Sequence, residues 1–440
     1  MKYIFCLLLL ICNNAFAADS LYGGFSNASP PGPTGRGTVW NVVVNGAALT
    51  VDPASLDFQI PGSPTANYVR RSSRRTGPTS LTWVGVNGRD EAIIHAEEGI
   101  VSGLIFAGSE HFEIEAIGSG SRFEWVDQSK VGEPSLPLPP TQTSQVLPIT
   151  FPVQTTRAAT SGPAQVDVLF LYTPQAVAGV GGGFFLNNLL SQIRGAVAAT
   201  NNAYVGSSAN VQMNVAGIEA VPSGIIDTCI PPAAICASPN YGEAISQDLQ
   251  TLTDNAAVTA RRNALRADIV VMIIENGGTA APPDTNIKLC GVARQMRAAE
   301  INSFESLAFS VVRRDCATGN LTLAHEAGHN MGLEHHPFET GSIPTPTFPW
   351  SFAHSIGGTT AGFHSIMSTN YECVSQGLLC SLIPRFSNPD NTWSVNNGGV
   401  ITQTPTGVVD LRDNARTLRS TGPIAEGWRA GYFANGFESP

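Results

Sequence analysis

His325-Glu326-Ala327-Gly328-His329-Asn330-Met331-Gly332-Leu333-Glu334-His335 reads H-E-x-x-H-x-x-G-x-x-H. On a helix, His325 and His329 are four residues apart and project from one face. Two such imidazole nitrogens suit a borderline-soft dication such as zinc, at about 2.0–2.1 Å. Glu326 lies beside that face, placed to take a proton from a metal-activated water. Gly332 can take the left-handed conformation that ends a helix, which turns the chain back and brings in His335 as third ligand. The chain holds 8 His in 440 residues, so chance gives the full pattern in roughly one such chain in a hundred thousand. Between Leu321 and Leu333 the only formal charge is Glu326. A charge in so apolar a helix is costly unless a metal or partner compensates it. The bland alternative, scattered core histidines, fits neither the spacing nor the buried charge.

The rest of the composition sets the surroundings. At 440 residues there is room for two or three domains. Only 13% of residues are charged, with 44 Gly and 30 Pro, which favours strands and turns over long surface helices. A net charge of −10 without clustered Lys and Arg argues against nucleic acid as a partner. Lys2, the apolar run Ile4 to Cys12 and Ala15-Phe16-Ala17 read as a signal peptide over residues 1–17, cleaved before Ala18. That run is too short to span a bilayer, and no later run of about 18 apolar residues follows, so a secreted protein without a membrane anchor is expected. Removing the signal peptide leaves Cys229, Cys236, Cys290, Cys316, Cys373 and Cys380, an even set that reads as three disulfides. Of the 15 connectivities that six cysteines allow, the neighbour pairing is expected: Cys229 with Cys236, Cys290 with Cys316, Cys373 with Cys380.

Residues 18–132 read as a β-rich segment, because Leu56-Phe58-Ile60, Phe112-Ile114-Ala116 and Phe123-Trp125 alternate apolar with polar. His95 and His111 are ordinary strand residues in this reading. Arg70-Arg71-Ser72-Ser73-Arg74-Arg75 reads as a solvated loop, with a processing site as the rival. Residues 133–163, carrying seven prolines among Ser, Thr and Gln, form a linker that cannot bury a core. From 164 to 431 the order is strand, helix, strand, helix, strands, helix, an α/β arrangement with helices packed on a mixed sheet. Val166 to Tyr172, Ile269 to Ile274, Leu289 to Ala293 and Ala308 to Val312 are expected strands. Val211, Met213 and Val215 mark a more exposed one. Helices are expected over 184–204, around Ile245 to Leu252, and near Val408 to Leu418 with Val409, Leu411 and Leu418 on the apolar side. Thr318 or Asn320 is the expected cap of the metal helix. A tail, 432–440, ends the chain, and no internal repeat is evident.

The eleven-residue motif followed by Phe363-His364-Ser365-Ile366-Met367-Ser368 resembles a metzincin zinc endopeptidase of the adamalysin/reprolysin-like branch, in particular its bacterial secreted peptidyl-Asp metallopeptidase-like members. Val168 to Pro174, Cys290-Gly291-Val292-Ala293, Arg385-Phe386-Ser387-Asn388-Pro389 and Asp413 to Leu418 support the resemblance, which covers roughly residues 164–430. It implies an α/β (α+β) metzincin-like catalytic domain, with a mixed twisted sheet and a zinc-binding active-site helix, behind a β-rich propeptide-like domain. It implies His325, His329 and His335 as ligands of one catalytic zinc, Glu326 as acid/base and Met367 as the floor of the methionine turn. A calcium site stays open, since no motif for one is legible. The expected function is a secreted zinc metalloendopeptidase made as a zymogen, acting on polypeptides as a monomer. The alternative is a non-catalytic secreted zinc-binding or adhesion protein on the same scaffold.

Two departures from the branch stand out. His336 follows the third ligand where Asp is usual, which introduces a rival imidazole. Thr369 stands where the astacin and serralysin branches place a tyrosine ligand, and the nearest tyrosine is Tyr371. His354 and His364 read as loop residues, with a place in the lining of the cleft as the alternative for either. No cysteine lies between Cys12 and Cys229, so an inhibitory N-terminal segment would have to act without a thiolate.

Overall fold

The structure, a computed structural model, describes residues 20–23, 25, 37–128, 162–230, 242–277, 289–298, 303–339 and 346–429. The expected signal peptide, the body of the Pro-rich linker, Cys236 and the C-terminal tail lie outside them.

The N-terminal residues form nine antiparallel strands: β1 (Tyr22–Gly23), β2 (Val39–Val44), β3 (Ser55–Phe58), β4 (Ala66–Gly77), β5 (Ser80–Asn87), β6 (Asp90–Glu97), β7 (Ile100–Ala107), β8 (Glu110–Ile117) and β9 (Gly120–Trp125). Their order is β1-β2-β9-β8-β7-β6-β5-β4-β3. Ser20 bridges Asp57 and the Leu21 N–H donates to the Asp57 carbonyl at 3.4 Å, so the two edges meet and the sheet closes on itself. Phe58, Tyr68, Trp83, Ile94, Ile105, Phe112 and Phe123 fill the interior. Closure removes the edges that would otherwise invite aggregation.

An internal repeat does exist here, against expectation. β5 to β8 are eight residues each and joined by two-residue turns, a period of ten. Gly88, Gly108 and Gly118 take the first turn position at positive φ, and Glu98-Gly99 takes both positions so. These are the residues that two-residue hairpins demand, because positive φ matches the twist of the flanking strands. The residue identities vary too much for the period to show as similarity. The arginine run is also not a loop: it sits on β4, where Arg71 donates to Glu91 at 2.7 Å.

The second body is a five-stranded sheet of order β11-β10-β12-β14-β13, from β10 (Ala164–Tyr172), β11 (Val211–Ala220), β12 (Ile269–Ile274), β13 (Gly291–Ala293) and β14 (Phe309–Arg313). β13 alone runs antiparallel, on the edge. β12 is buried at every residue because helices cover both faces, which is why it reads as a continuous apolar run. Val166, Val168, Phe170, Val271 and Ile273 face the long helix Leu186–Gly206. Leu169, Leu171, Val270 and Met272 face Ile245, Leu249 and Val258 of the helices Glu243–Asp254 and Ala256–Ala264.

The helix Ala256–Ala264 escapes the sequence reading because it buries only Val258 and Arg262, too few for a stripe. Asn255 starts it by accepting from the Ala257 and Val258 N–H groups. The last helix runs Asn414–Ala425, not from Val408, since Asp413 caps it by accepting from the Arg416 N–H. Val409 and Leu411 lie before that cap and are 67% and 61% exposed, while Leu418 is buried. Two expected disulfides are formed, Cys290–Cys316 and Cys373–Cys380. Cys229 is also disulfide-bonded.

The long helix is buried on nearly all sides. Its second face meets the outer side of β6, β7 and β8, where Ile93, Leu104 and Phe106 join the same core as Ile193 and Val197. Gly195 has room for no side chain, because a Cβ there would come 2.6 Å from Ser102 Oγ. That hydroxyl donates to the Ser191 carbonyl at 2.8 Å. Gln192 and Asn188 donate to the carbonyls of Ala116 and Gly118.

Glu91 is the most heavily used carboxylate of this contact. Burial pushes its pKa up, but the fork from Arg385, the charge of Arg71 and the Asn202 amide outweigh burial and hold it at about 2. A depressed carboxyl adds stability above its unfolded pKa and loses it as pH falls toward the folded value. Wild-type unfolding temperature is therefore expected to drop as pH is lowered from about 4.5 to about 2, and Glu91→Gln to flatten that drop. Parallel pH profiles for the two proteins in a thermal melt would contradict it.

Candidate metal centre

The metal helix spans Thr322–Asn330, and it starts without a side-chain cap. Neither Thr318 nor Asn320 serves. Thr318 closes the preceding short helix Arg314–Ala317, and its carbonyl accepts the Leu321 N–H. Leu321 turns the chain in a left-handed conformation, φ 54°.

At its far end the helix stops at Gly332, φ 86°. The Leu333 N–H reaches back to the Gly328 carbonyl at 3.0 Å. A Cβ at Gly332 would also lie 2.4 Å from Thr347 Oγ1, so both backbone and space demand glycine. Glu334 then pairs with Ser351 and Ala353 through its backbone, which fixes the direction of His335.

This turn brings three imidazoles together. His325 Nε2 lies 2.9 Å from His335 Nε2 and 3.0 Å from His329 Nε2, and the third separation is 3.0 Å. The opposite nitrogens face carbonyls: His325 Nδ1 donates to Ile366 O at 2.8 Å, and His329 Nδ1 to Leu333 O at 2.9 Å. A carbonyl can only accept, so each of these rings carries its proton on Nδ1 and aims a lone pair from Nε2. Burial also holds all three rings neutral, His325 at about 4 and the other two well below the usual range. Converging lone pairs repel unless a cation lies among them, so the donor set fits a divalent metal.

Glu326 is fully buried, and neither carboxylate oxygen has a hydrogen-bond partner. Burial alone raises its pKa well above the ordinary carboxyl range. It has room because β13 carries Gly291 there, where a Cβ would lie 2.5 Å from Glu326 Oε1. Met367 is buried against Gly328, one residue before His329, with its sulfur 2.8 Å from where a Cβ would stand.

His336 does not join the triad. Its ring turns to Glu372, with Nε2 2.9 Å from Oε2, and stacks on Phe338. His364 lies on the short strand Phe363–His364 rather than in a loop, its Nδ1 donating to Ser368 O at 2.7 Å. His354 Nδ1 accepts from Arg412 at 3.1 Å. Tyr371 is 57% exposed and no part of the cluster. The sequence reading missed the carbonyls of Ile366 and Leu333, since backbone atoms leave no residue signature. It also missed Gly291 as the space for Glu326, although Cys290 to Ala293 had stood out.

Comparison with known proteins accords with this geometry. Residues 162–380 match the family model Reprolysin_5, described as metallo-peptidase family M12. The chain is 27% identical over 410 residues to the peptidyl-Asp metalloendopeptidase of Stenotrophomonas maltophilia strain R551-3, covering 87% of this chain and 85% of the relative. It is 25% identical over 390 residues to the protein of the same name from Xanthomonas campestris pv. campestris, covering 86% and 79%. Among solved structures, metalloproteinase-II from Bacteroides fragilis matches at 11% identity and a TM-score of 0.36, over 67% of this chain and 84% of that one. The chain is a reprolysin-like metallopeptidase. More specifically, it is a zinc metalloendopeptidase, a hydrolase of peptide bonds, which sets aside the non-catalytic alternative. No helix among the described residues is long and apolar enough to cross a membrane.

Gly291→Ala is expected to displace the Glu326 carboxylate without touching the triad. kcat should fall by about 10–100-fold, the scale of a misplacement near 1 Å, while zinc content measured by atomic absorption stays at wild-type stoichiometry. Wild-type kcat in this variant would count against the packing described.

Proposed function

We propose that this chain is a secreted endopeptidase in which His325, His329 and His335 hold one zinc ion and Glu326 is the general acid/base. One observation carries the reading: three imidazole Nε2 atoms converge within 3.0 Å of one another, beside a buried carboxylate that has no hydrogen-bond partner. Zinc, when bound, supplies Lewis acidity and lowers the pKa of a water to about 7. Glu326 takes the proton of the attacking water on a carboxylate oxygen and returns it to the leaving amine. Its raised proton affinity suits both tasks. The carbonyls of Ile366 and Leu333 keep the ligand tautomers, and Met367 fills the space beneath the helix.

Export rests on the signal-peptide pattern of residues 1–17, supported by disulfides that suit an oxidising compartment. Production as a zymogen rests on the N-terminal position of residues 18–132 and the Pro-rich joint behind them. A monomer acting on polypeptides completes the reading.

The relatives' name carries over as a preference for bonds beside aspartate. Arg412 is the cation we assign to it. It stands 3.1 Å from His354 Nδ1, and its charge adds to the burial that depresses the His336 ring. Among the described residues no carboxylate pairs with it.

Glu326→Gln should bind zinc normally and lose hydrolysis of casein by about 10²–10⁴-fold. A variant that still cleaves at the wild-type rate would overturn the role of Glu326. Arg412→Ala should lower kcat/KM for an Asp-containing peptide by about 10–100-fold, the worth of one charged hydrogen bond, and leave the Asn analogue unchanged. An equal loss on both peptides would remove Arg412 from substrate recognition.

A further inference from the structure

We propose that Glu91 and Arg385 are positioning residues for the metal site, so that in the uncleaved chain the N-terminal barrel helps to hold the zinc ligands in place before any cut at the Pro-rich joint. The inference rests on the ligand assignment proposed above.

Two threads lead from the barrel to the two flanks of Met367. The first begins at Glu91 on β6, which is 3% exposed. Its carboxylate receives both arms of Arg385, Nη2 at 2.5 Å and Nη1 at 3.1 Å. Such a bidentate fork fixes orientation as well as charge. The Arg385 backbone carbonyl accepts the Ile366 N–H at 3.0 Å. The Ile366 carbonyl in turn accepts from Nδ1 of His325 at 2.8 Å. Two residues, Arg385 and Ile366, and the imidazole of His325 thus separate a carboxylate of the barrel from the lone pair of a metal ligand.

The second thread begins at His111 on β8, which is buried and hydrogen-bonded to the Leu382 backbone. Leu382 pairs in register with His364, and the Ile383 N–H donates to the His364 carbonyl at 3.0 Å. His364 Nδ1 then holds the Ser368 carbonyl at 2.7 Å.

The catalytic body is shaped for the fork. A Cβ at Gly206 would lie 2.4 Å from the Arg385 guanidinium carbon, so the end of the long helix is bare where the arginine passes. Asn202 on that helix and Arg71 on β4 complete the donors around Glu91. Losing Glu91 would leave a buried, forked cation without its anion, and Arg385 would have to move. Its backbone carries the contact to Ile366, so the movement reaches His325. Groups that orient metal ligands through such contacts typically change metal affinity by about 10–100-fold when removed.

The same interface contains an internal control. Arg194 pairs with Glu97 across it, but that pair is 32% and 27% exposed and leads to no residue of the methionine turn.

Zinc affinity of the full chain, measured by chelator competition, tests the proposal, together with the unfolding temperature of each metal-free protein. Glu91→Gln and Arg385→Lys are expected to weaken zinc by about 10–100-fold, and Glu97→Gln to leave it unchanged. Arg385→Lys keeps the charge and loses the fork, so it decides the matter if Glu91→Gln fails to fold. Wild-type zinc affinity in Arg385→Lys overturns the proposal, even where the metal-free protein melts earlier. Equal weakening by Glu97→Gln also overturns it, since any damage to the interface would then suffice. A wild-type chain that binds no zinc would fail the ligand assignment instead.

Discussion

Two carbonyl oxygens decide what this molecule can do. By accepting from Nδ1 of His325 and His329, Ile366 and Leu333 leave both Nε2 lone pairs directed at one point. Were either carbonyl displaced, its ring could place the proton on Nε2, and the cluster would lose a converging lone pair without losing a residue. The helix, its glycine stop and the strand of Glu334 all serve that convergence. So does the methionine turn, which supplies one of the two carbonyls through the residue before Met367.

Burial is the second constraint, and it acts in opposite directions on the two kinds of group. It keeps the imidazoles neutral, the state in which a ring nitrogen can bind a metal, and it raises the proton affinity of Glu326. Both effects need a dry interior around the metal helix. The five-stranded sheet covers one side, with Gly291 leaving the one gap that Glu326 requires. The long helix lies beyond, itself enclosed by the barrel. Its run of Ala, Gly, Ser and Asn suits a helix pressed between two sheets, where bulk has no place to go.

Much of the catalytic body was legible because its patterns are local. Ile269 to Ile274 reads as a buried strand from six apolar residues in a row, and Glu243–Asp254 as a helix from Ile245, Leu249 and Leu252. The metal motif is legible because liganding needs side chains at set spacings. The failures share a cause as well. Val409 and Leu411 look like a helix face, but the Asp413 cap lies after them. The ten-residue hairpin period is hidden because turns constrain φ at a few positions and leave the strand residues free. Glu91 looks like any surface strand residue until Arg385, nearly three hundred positions away, closes on it.

The chain alone therefore determined the three histidines, the glutamate, the turn at Gly332 and the sheet-and-helix character of the body that holds them. These follow from spacing, periodicity and the conformational needs of glycine, all of which act within a few residues. Only the tertiary structure decided which backbone oxygens orient the imidazoles, that His336 turns to Glu372, and that the barrel's polar side chains grip the long helix. Those outcomes depend on groups far apart in sequence meeting in a medium that excludes water. There, an unpaired charge or an idle hydrogen-bonding group is costly enough to choose between arrangements that the sequence leaves equal.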